Sequence, residues 1–268
     1  GLGGGELGVL VAPSGIGKSW CLQSLGAHLV RQGKTVAHYT LELNASYVGL
    51  RYDTVFSGIT TSNIKFYKED VQKIIDTLTG KLIIKYYPTR SATVNTISAH
   101  LKQMEIQEIK PDVVIVDYAD ILKPTTFYKE KRHSTGETYE NLRGLAGEFN
   151  IPIWTASQAN RSSLEEEIID ATKIAEDYSK IMTADFVMSI SRKVEDKIAN
   201  TGRFHVIKNR FGIDGITFPA SINTNTGLIQ VHEASTVGGQ LAQGKMNNSE
   251  EYLRKTLSQK YKDMGGFE

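Results

Sequence analysis

The stretch Gly8-Val-Leu-Val-Ala-Pro-Ser-Gly-Ile-Gly-Lys-Ser-Trp20 decides how the rest of the chain is read. Val9 to Ala12 is an apolar run suited to a buried strand; it breaks into a glycine-rich turn, and Lys18-Ser19 opens a helix running toward Val30. Strand, turn and helix in that order predict a phosphate-binding loop. Gly15 and Gly17 let backbone N–H groups turn inward around phosphates, and the following helix N-terminus adds its positive dipole end. Lys18 is placed to reach β/γ-phosphates, and the Ser19 hydroxyl to hold Mg²⁺. The candidate nucleotide-binding residues are therefore Ser14, Gly15, Ile16, Gly17, Lys18, Ser19 and Trp20, with ATP as the implied substrate. One departure is visible: Ala12 stands where this motif usually has its first glycine.

A chain of 268 residues is long enough to bury one large α/β core, and 40% hydrophobic with 23% charged residues favours a soluble globular protein. The 31 basic and 30 acidic side chains leave a net charge of +1, so any site for a polyanion must be a local cluster. Cys21 stands alone, which excludes an internal disulfide and suits a reducing compartment such as the cytoplasm. No apolar run approaches the length of a membrane span, and no membrane partner is expected. The chain opens on Gly1-Leu-Gly-Gly-Gly rather than methionine, which predicts sequence upstream.

Residues 1–5 read as a flexible lead-in, residues 6–232 as one ATPase domain, and residues 233–268 as a polar tail with a short helix near Glu250 to Tyr261. A second buried strand, Val36 to Leu41, finishes on Glu42. An acid there is either where open α/β sheets place ligands or an ordinary carboxylate at a strand exit, and spacing alone leaves both open. Asn44 caps a helix through Phe56; a polar helix over Lys68 to Leu78, a strand over Leu82 to Tyr87 and an amphipathic helix over Thr93 to Ile109 follow. Pro111-Asp-Val-Val-Ile-Val-Asp117 sets four β-branched aliphatics before an acid, as a rigid core strand delivering a Mg²⁺ partner opposite the phosphate loop requires. Lys123 to Gly136 reads as a polar loop with Lys129, Lys131 and Arg132, and Glu137 to Phe149 as a helix. Ile151 to Ser157 is a further buried strand ending at Gln158, whose amide can hydrogen-bond a γ-phosphate or an attacking water. The segment 171–183, of uncertain form, carries Lys173 and Lys180. Asp185 to Ser191 is a strand, and Phe204 to Lys208, Ile216 to Ile222 and Leu228 to Val231 are short antiparallel strands.

Ala-Pro-Ser-Gly-Ile-Gly-Lys-Ser (12–19), Thr-Leu-Glu-Leu (40–43), Val-Val-Ile-Val-Asp-Tyr (113–118), Ala-Ser-Gln-Ala-Asn-Arg (156–161) and Lys-Asn-Arg-Phe-Gly (208–212) together resemble the ordered motifs of DnaB-type replicative helicases, closest to phage-encoded members. The resemblance covers the chain to about Val231. It implies a RecA-like P-loop fold of the α/β class, with a mostly parallel central sheet flanked by helices and antiparallel strands on the C-terminal side. It implies a hexameric ring around single-stranded DNA, a helical N-terminal domain for ring stacking and primase contact, and a helicase loader. By resemblance, Glu42 is the catalytic acid, Asp117 the metal-supporting acid, Gln158 the phosphate sensor, and Lys208 and Arg210 reach the neighbouring subunit's nucleotide. Two channel loops correspond to about 123–135 and 171–183, making Lys129, Lys131, Arg132, Lys173 and Lys180 the expected DNA contacts. The rival readings are a RecA-like recombinase or clock-type ATPase on the same fold, and a nucleotide-gated DNA-binding module with little turnover.

Overall fold

The computed structural model describes residues 1–126, 131–160, 163, 166–170, 178–233, 240, 243–246 and 248, with the backbone alone at 131–133 and 178–179. A nine-stranded sheet runs in the order β3-β2-β4-β5-β1-β6-β7-β8-β9. Its parallel part comprises β1 (Leu7–Ala12), β2 (Thr35–Thr40), β3 (Lys81–Tyr86), β4 (Val113–Asp117), β5 (Ile153–Gln158) and β6 (Phe186–Ser191). An antiparallel meander continues it: β7 (Thr201–Asn209), β8 (Thr217–Asn223) and β9 (Leu228–Val231).

The central strands are apolar on both faces because each face feeds its own core. Leu7, Val9 and Val11 of β1, with Val114 and Val116 of β4, join a core that includes Ile97, Leu101 and Met104 of α4 (Val94–Ile106) and Leu142, Leu145 and Ala146 of α5 (Lys131–Phe149). The alternate residues Leu10, Ala12, Val113 and Ile115 join a second core beneath α1 (Lys18–Arg31), with Leu22 and Val30. Period-two alternation is thus present in strands whose composition shows none. Gly8 is required by packing: a Cβ there would come within 2.8 Å of the Trp154 ring.

Local signals act where expected. The Asn44 side chain accepts the Tyr47 N–H (3.0 Å) to start α2 (Ala45–Ser57), and Thr93 forms a capping box with Thr96 at the start of α4. The polar helix is present as α3 (Lys68–Asp76).

One expectation is corrected. The polar loop read over Lys123 to Gly136 is partly helical, since α5 begins at Lys131 rather than Glu137. Ser134, Thr135 and Gly136 read as breakers, but Thr138 Oγ1 donates to the Ser134 carbonyl one turn back, and buried Ser134 and Thr138 fix that turn against the protein. Part of the segment 171–183 is α6 (Tyr178–Thr183). A short helix unread in the sequence, α7 (Val194–Ala199), starts where Asp196 accepts the Lys193 N–H and stops at left-handed Asn200. The helix expected over Glu250 to Tyr261 lies outside the described residues.

His38 of β2 is completely buried, with Nδ1 2.8 Å from the Tyr52 hydroxyl and no partner for Nε2 among the described residues. Burial drives its pKa down from 6.5 to about 3. The unfolded chain therefore binds a proton below pH 6.5 that the folded chain refuses, and stability falls as pH drops from 6.5 toward 3. Denaturant titrations at pH 7 and pH 5 should show a His38 share of about 2 kcal/mol in the acid-side loss. In His38→Gln that share should vanish; an unchanged pH dependence would place the sensitivity elsewhere.

Candidate nucleotide-binding site

The phosphate loop bridges β1 and α1. Gly15 (φ 76°) and Gly17 (φ 114°) both occupy backbone regions that side chains disfavour, which turns the loop tightly enough to present its N–H groups. Ala12 is fully buried as the last residue of β1, and its methyl group belongs to the second core. That packing accounts for alanine in place of the motif's first glycine. Ile16 is 1% exposed and roots the loop in the same core, so its side chain is an anchor rather than a ligand group. Lys18 Nζ donates to the carbonyls of Ala12 (2.8 Å) and Pro13 (3.0 Å), spanning the mouth of the loop. Burial lowers its pKa, opposed by the carboxylates of Asp117, Asp120 and Glu42.

Strand register brings the other groups to the same edge. Ala12 pairs with Gln158 across β1 and β5, and Thr40 pairs with Asp117 across β2 and β4, so the tips of four strands converge. Ser14, Gly15, Gly17, Lys18, Ser19, Trp20, Glu42 and Gln158 line one cleft of about 290 Å³. Asp117 lies against it, 3% exposed, taking a hydrogen bond from the Ser19 side chain. Burial pushes its pKa up to about 6 despite that bond, helped by Glu42 and opposed by Arg51 and Lys18. Its Oδ1 is buried and unpartnered among the described residues. A hydroxyl beside an orphaned carboxylate oxygen fits a hard divalent cation. No cluster of three His, Cys, Asp or Glu among the described residues could hold a metal alone, so such an ion would need oxygens from the nucleotide.

Three further residues line the cleft. Arg51 of α2 stacks over the Trp20 ring at 4.9 Å, and Tyr118 and Thr224 complete the wall. Asn44 had signalled the helix carrying Arg51, but nothing in the spacing told which way that arginine faces. Thr224 comes from the β8–β9 turn, beyond the reach of local pattern. Behind the cleft, Asp120 accepts the Gln158 N–H (2.9 Å), the Ser157 hydroxyl (3.1 Å), the Tyr139 hydroxyl (2.8 Å) and Lys180 Nζ (2.8 Å). Lys180, expected on a DNA-facing loop, is therefore 8% exposed and bound within the chain. Lys131 and Arg132 open α5, while Lys129 and Lys173 lie outside the described residues.

Lys208 and Arg210 are not at the cleft. Asn209, between them, pairs with Phe186, and Phe186 lies beside Gly8 near the start of β1. The four steps from Gly8 to Ala12 span about 13 Å of strand, which sets this pair at the opposite edge of the sheet from the phosphate loop.

A family model described as the DnaB-like helicase C-terminal domain matches residues 1–219. The chain belongs to that family. A DnaB-like replicative helicase of Enterobacteria phage T4 is 30% identical over 220 residues, covering 78% of this chain and 46% of the relative. The replicative helicase DnaB of Helicobacter pylori strain J99 is 24% identical over 164 residues, covering 59% of this chain and 34% of the relative. The chain thus spans less than half the length of these relatives. Two solved structures share the fold. One, described as an ATPase domain, superposes with a TM-score of 0.73 at 17% identity, covering 87% of each chain. A DnaB-like replicative helicase described with its primase interactions gives 0.74 at 16%, covering 86% of this chain and 58% of that one. The expected RecA-like architecture of the family is the one observed.

Trp20 lies in the cleft wall, whereas Trp154, the other tryptophan, sits against Phe186 at 5.8 Å between ring centres. Adding ATP with Mg²⁺ should therefore change tryptophan emission, and Trp20→Phe should abolish the change. A full response from Trp20→Phe would place nucleotide elsewhere.

Proposed function

We propose that this chain is the ATPase motor domain of a replicative DNA helicase, acting as a hexameric ring that moves along single-stranded DNA and separates duplex. The observation that carries this reading is a division of chemistry between edges. Lys18, Ser19, Glu42, Asp117 and Gln158 meet at one edge of the sheet, while Lys208 and Arg210 sit at the other. A site whose finger cations cannot reach it within one chain is completed by a second copy.

In that ring, ATP binds across the subunit boundary. Loop N–H groups and Lys18 take the β/γ-phosphates, and the Ser19 hydroxyl with Asp117 would hold a Mg²⁺ that arrives with the nucleotide, an ion that would neutralise phosphate charge. Glu42, exposed at the tip beyond β2, takes a proton from the attacking water, and Gln158 bonds the γ-phosphate or that water. Arg210 of the adjacent subunit stabilises charge as the bond breaks. Residues 6–232 form the motor, with primase and loader contacts outside it and the host cytoplasm as the site of action. Lys129, Lys131, Arg132 and Lys173 supply phosphate contacts; Lys180 is left out because Asp120 holds it.

Full-length protein should unwind forked DNA in an ATP-dependent way, on one of the two tail polarities. Lys18→Ala should lose hydrolysis and nucleotide affinity together. Glu42→Gln should keep affinity and lose about 10²–10⁴ in turnover, as expected for a general base. Normal hydrolysis by Glu42→Gln would remove it from the chemistry, and DNA binding with negligible turnover in the unaltered protein would favour the binding-module reading.

Neutralising Lys129, Lys131 and Arg132 together should weaken single-stranded DNA binding and flatten its salt dependence by about 0.7 in slope per lost contact. An unchanged slope would return those cations to plain solvent exposure.

A further inference from the structure

Asp185, the residue immediately before β6, is 1% exposed, yet its carboxylate meets four donors from three parts of the chain. Oδ2 accepts the Leu7 N–H (3.0 Å) at the start of β1 and Nε of Arg143 (3.0 Å); Oδ1 accepts Nη2 of Arg143 (3.1 Å) and lies 2.8 Å from Nη1 of Arg210. The backbone repeats the tie, since the Arg210 N–H donates to the Asp185 carbonyl (2.9 Å). Arg143, on α5, grips both carboxylate oxygens like a fork and leaves Asp185 one direction to offer. That direction is taken by Arg210. Nearby, Lys208 Nζ caps the last turn of α6 through the carbonyls of Ile181 (3.0 Å) and Met182 (2.7 Å).

Three cations thus gather around a single carboxylate, and the cluster keeps an excess of positive charge. Burial raises the carboxyl's pKa, but the Arg143 bonds, the Leu7 N–H and the Arg210 charge outweigh it and hold Asp185 below the ordinary carboxylate value. Asp185 therefore stays an anion. A guanidinium has five N–H donors, and among the described residues Nε and Nη2 of Arg210 have no hydrogen-bond partner. Its side chain is also 41% exposed, so those donors stay open to an anion brought from outside.

We infer that Asp185, clamped by Arg143, is the positioning residue of the trans-acting arginine: it holds Arg210 through one guanidinium nitrogen and leaves the others aimed at the neighbouring subunit's nucleotide. A free arginine side chain loses much rotamer freedom when fixed at a phosphate, and an arginine already held loses less. The inference rests on the trans reading of Arg210 given above.

Mixed assemblies of the full-length chain separate positioning from folding, because each subunit gives a finger to one interface and a site to another. Arg210→Ala subunits keep a complete site, and Glu42→Gln subunits keep a complete finger, so mixing them should restore DNA-stimulated phosphate release. Adding Asp185→Asn to the Glu42→Gln partner should cut the restored rate at least tenfold, within the 10³–10⁵ that an arginine finger supplies. Adding it instead to the Arg210→Ala partner should leave restoration unchanged. Half-exposed Arg143 provides the second variant: Arg143→Gln should show the same one-sided loss, and Arg143→Lys should recover part of it. Undiminished restoration by the Glu42→Gln/Asp185→Asn partner, or equal losses in both arms, would overturn the positioning role. Failure of the parent mixture, in rings verified to exchange subunits, would instead overturn the trans reading and this inference with it.

Discussion

Everything at the cleft depends on the register of parallel strands buried on both faces. Parallel pairing makes the strands run out at one edge, and the pairings Ala12 with Gln158 and Thr40 with Asp117 set how far each tip extends. A slip of one residue in β4 would exchange the side chains of two cores at once, sending Val114 and Val116 where Val113 and Ile115 now pack. Register is therefore enforced by hydrophobic packing far from any charged atom. Groups separated by over a hundred residues in the chain consequently meet within one cleft.

Charges at that edge are held under tension. Burial disfavours the charge on both Lys18 and Asp117, and each is drawn back toward its charged form by the other, with further carboxylates acting on Lys18 and with Ser19 and Arg51 acting on Asp117. Such a pair responds strongly to added charge. An incoming polyphosphate with a divalent cation would alter the balance around both groups at once, in a medium where charges are weakly screened. The opposite edge has the converse bias, with Asp185 outnumbered by cations. One edge thus gathers carboxylates around a lysine, and the other gathers cations around a carboxylate.

The strands were legible because their signals are short-range: apolar runs of the right length, bounded by glycine, proline or an acid. Four of the quoted motifs carry Lys18, Ser19, Glu42, Asp117 and Gln158, and the structure brings these to one edge, since parallel strands end on the same side. What escaped was long-range. Arg51 depends on the rotational setting of α2, Thr224 on a turn arriving from the far end of the sheet, and Asp120 on four donors from three elements. Helix starts also misled. The Ser-Thr-Gly run before Glu137 reads as loop by composition, but tertiary burial of Ser134 and Thr138 overrides it.

Lys180 shows how a charge can be misjudged by its address. It sits in a segment rich in polar residues, yet its ammonium lies with Asp120, which also carries the backbone of Gln158. Removing the lysine would leave the half-buried Asp120 without its ammonium partner beside the Gln158 tip, and a carboxylate that loses its counter-ion in such a place is costlier to keep. The tip would relax. A charge-by-charge survey scored on DNA retention would then mark Lys180 as essential, when the fault lay in the Gln158 strand tip that its partner Asp120 carries. Sequence neighbourhood and electrical neighbourhood are different maps here, and the second governs which assay a lesion will disturb.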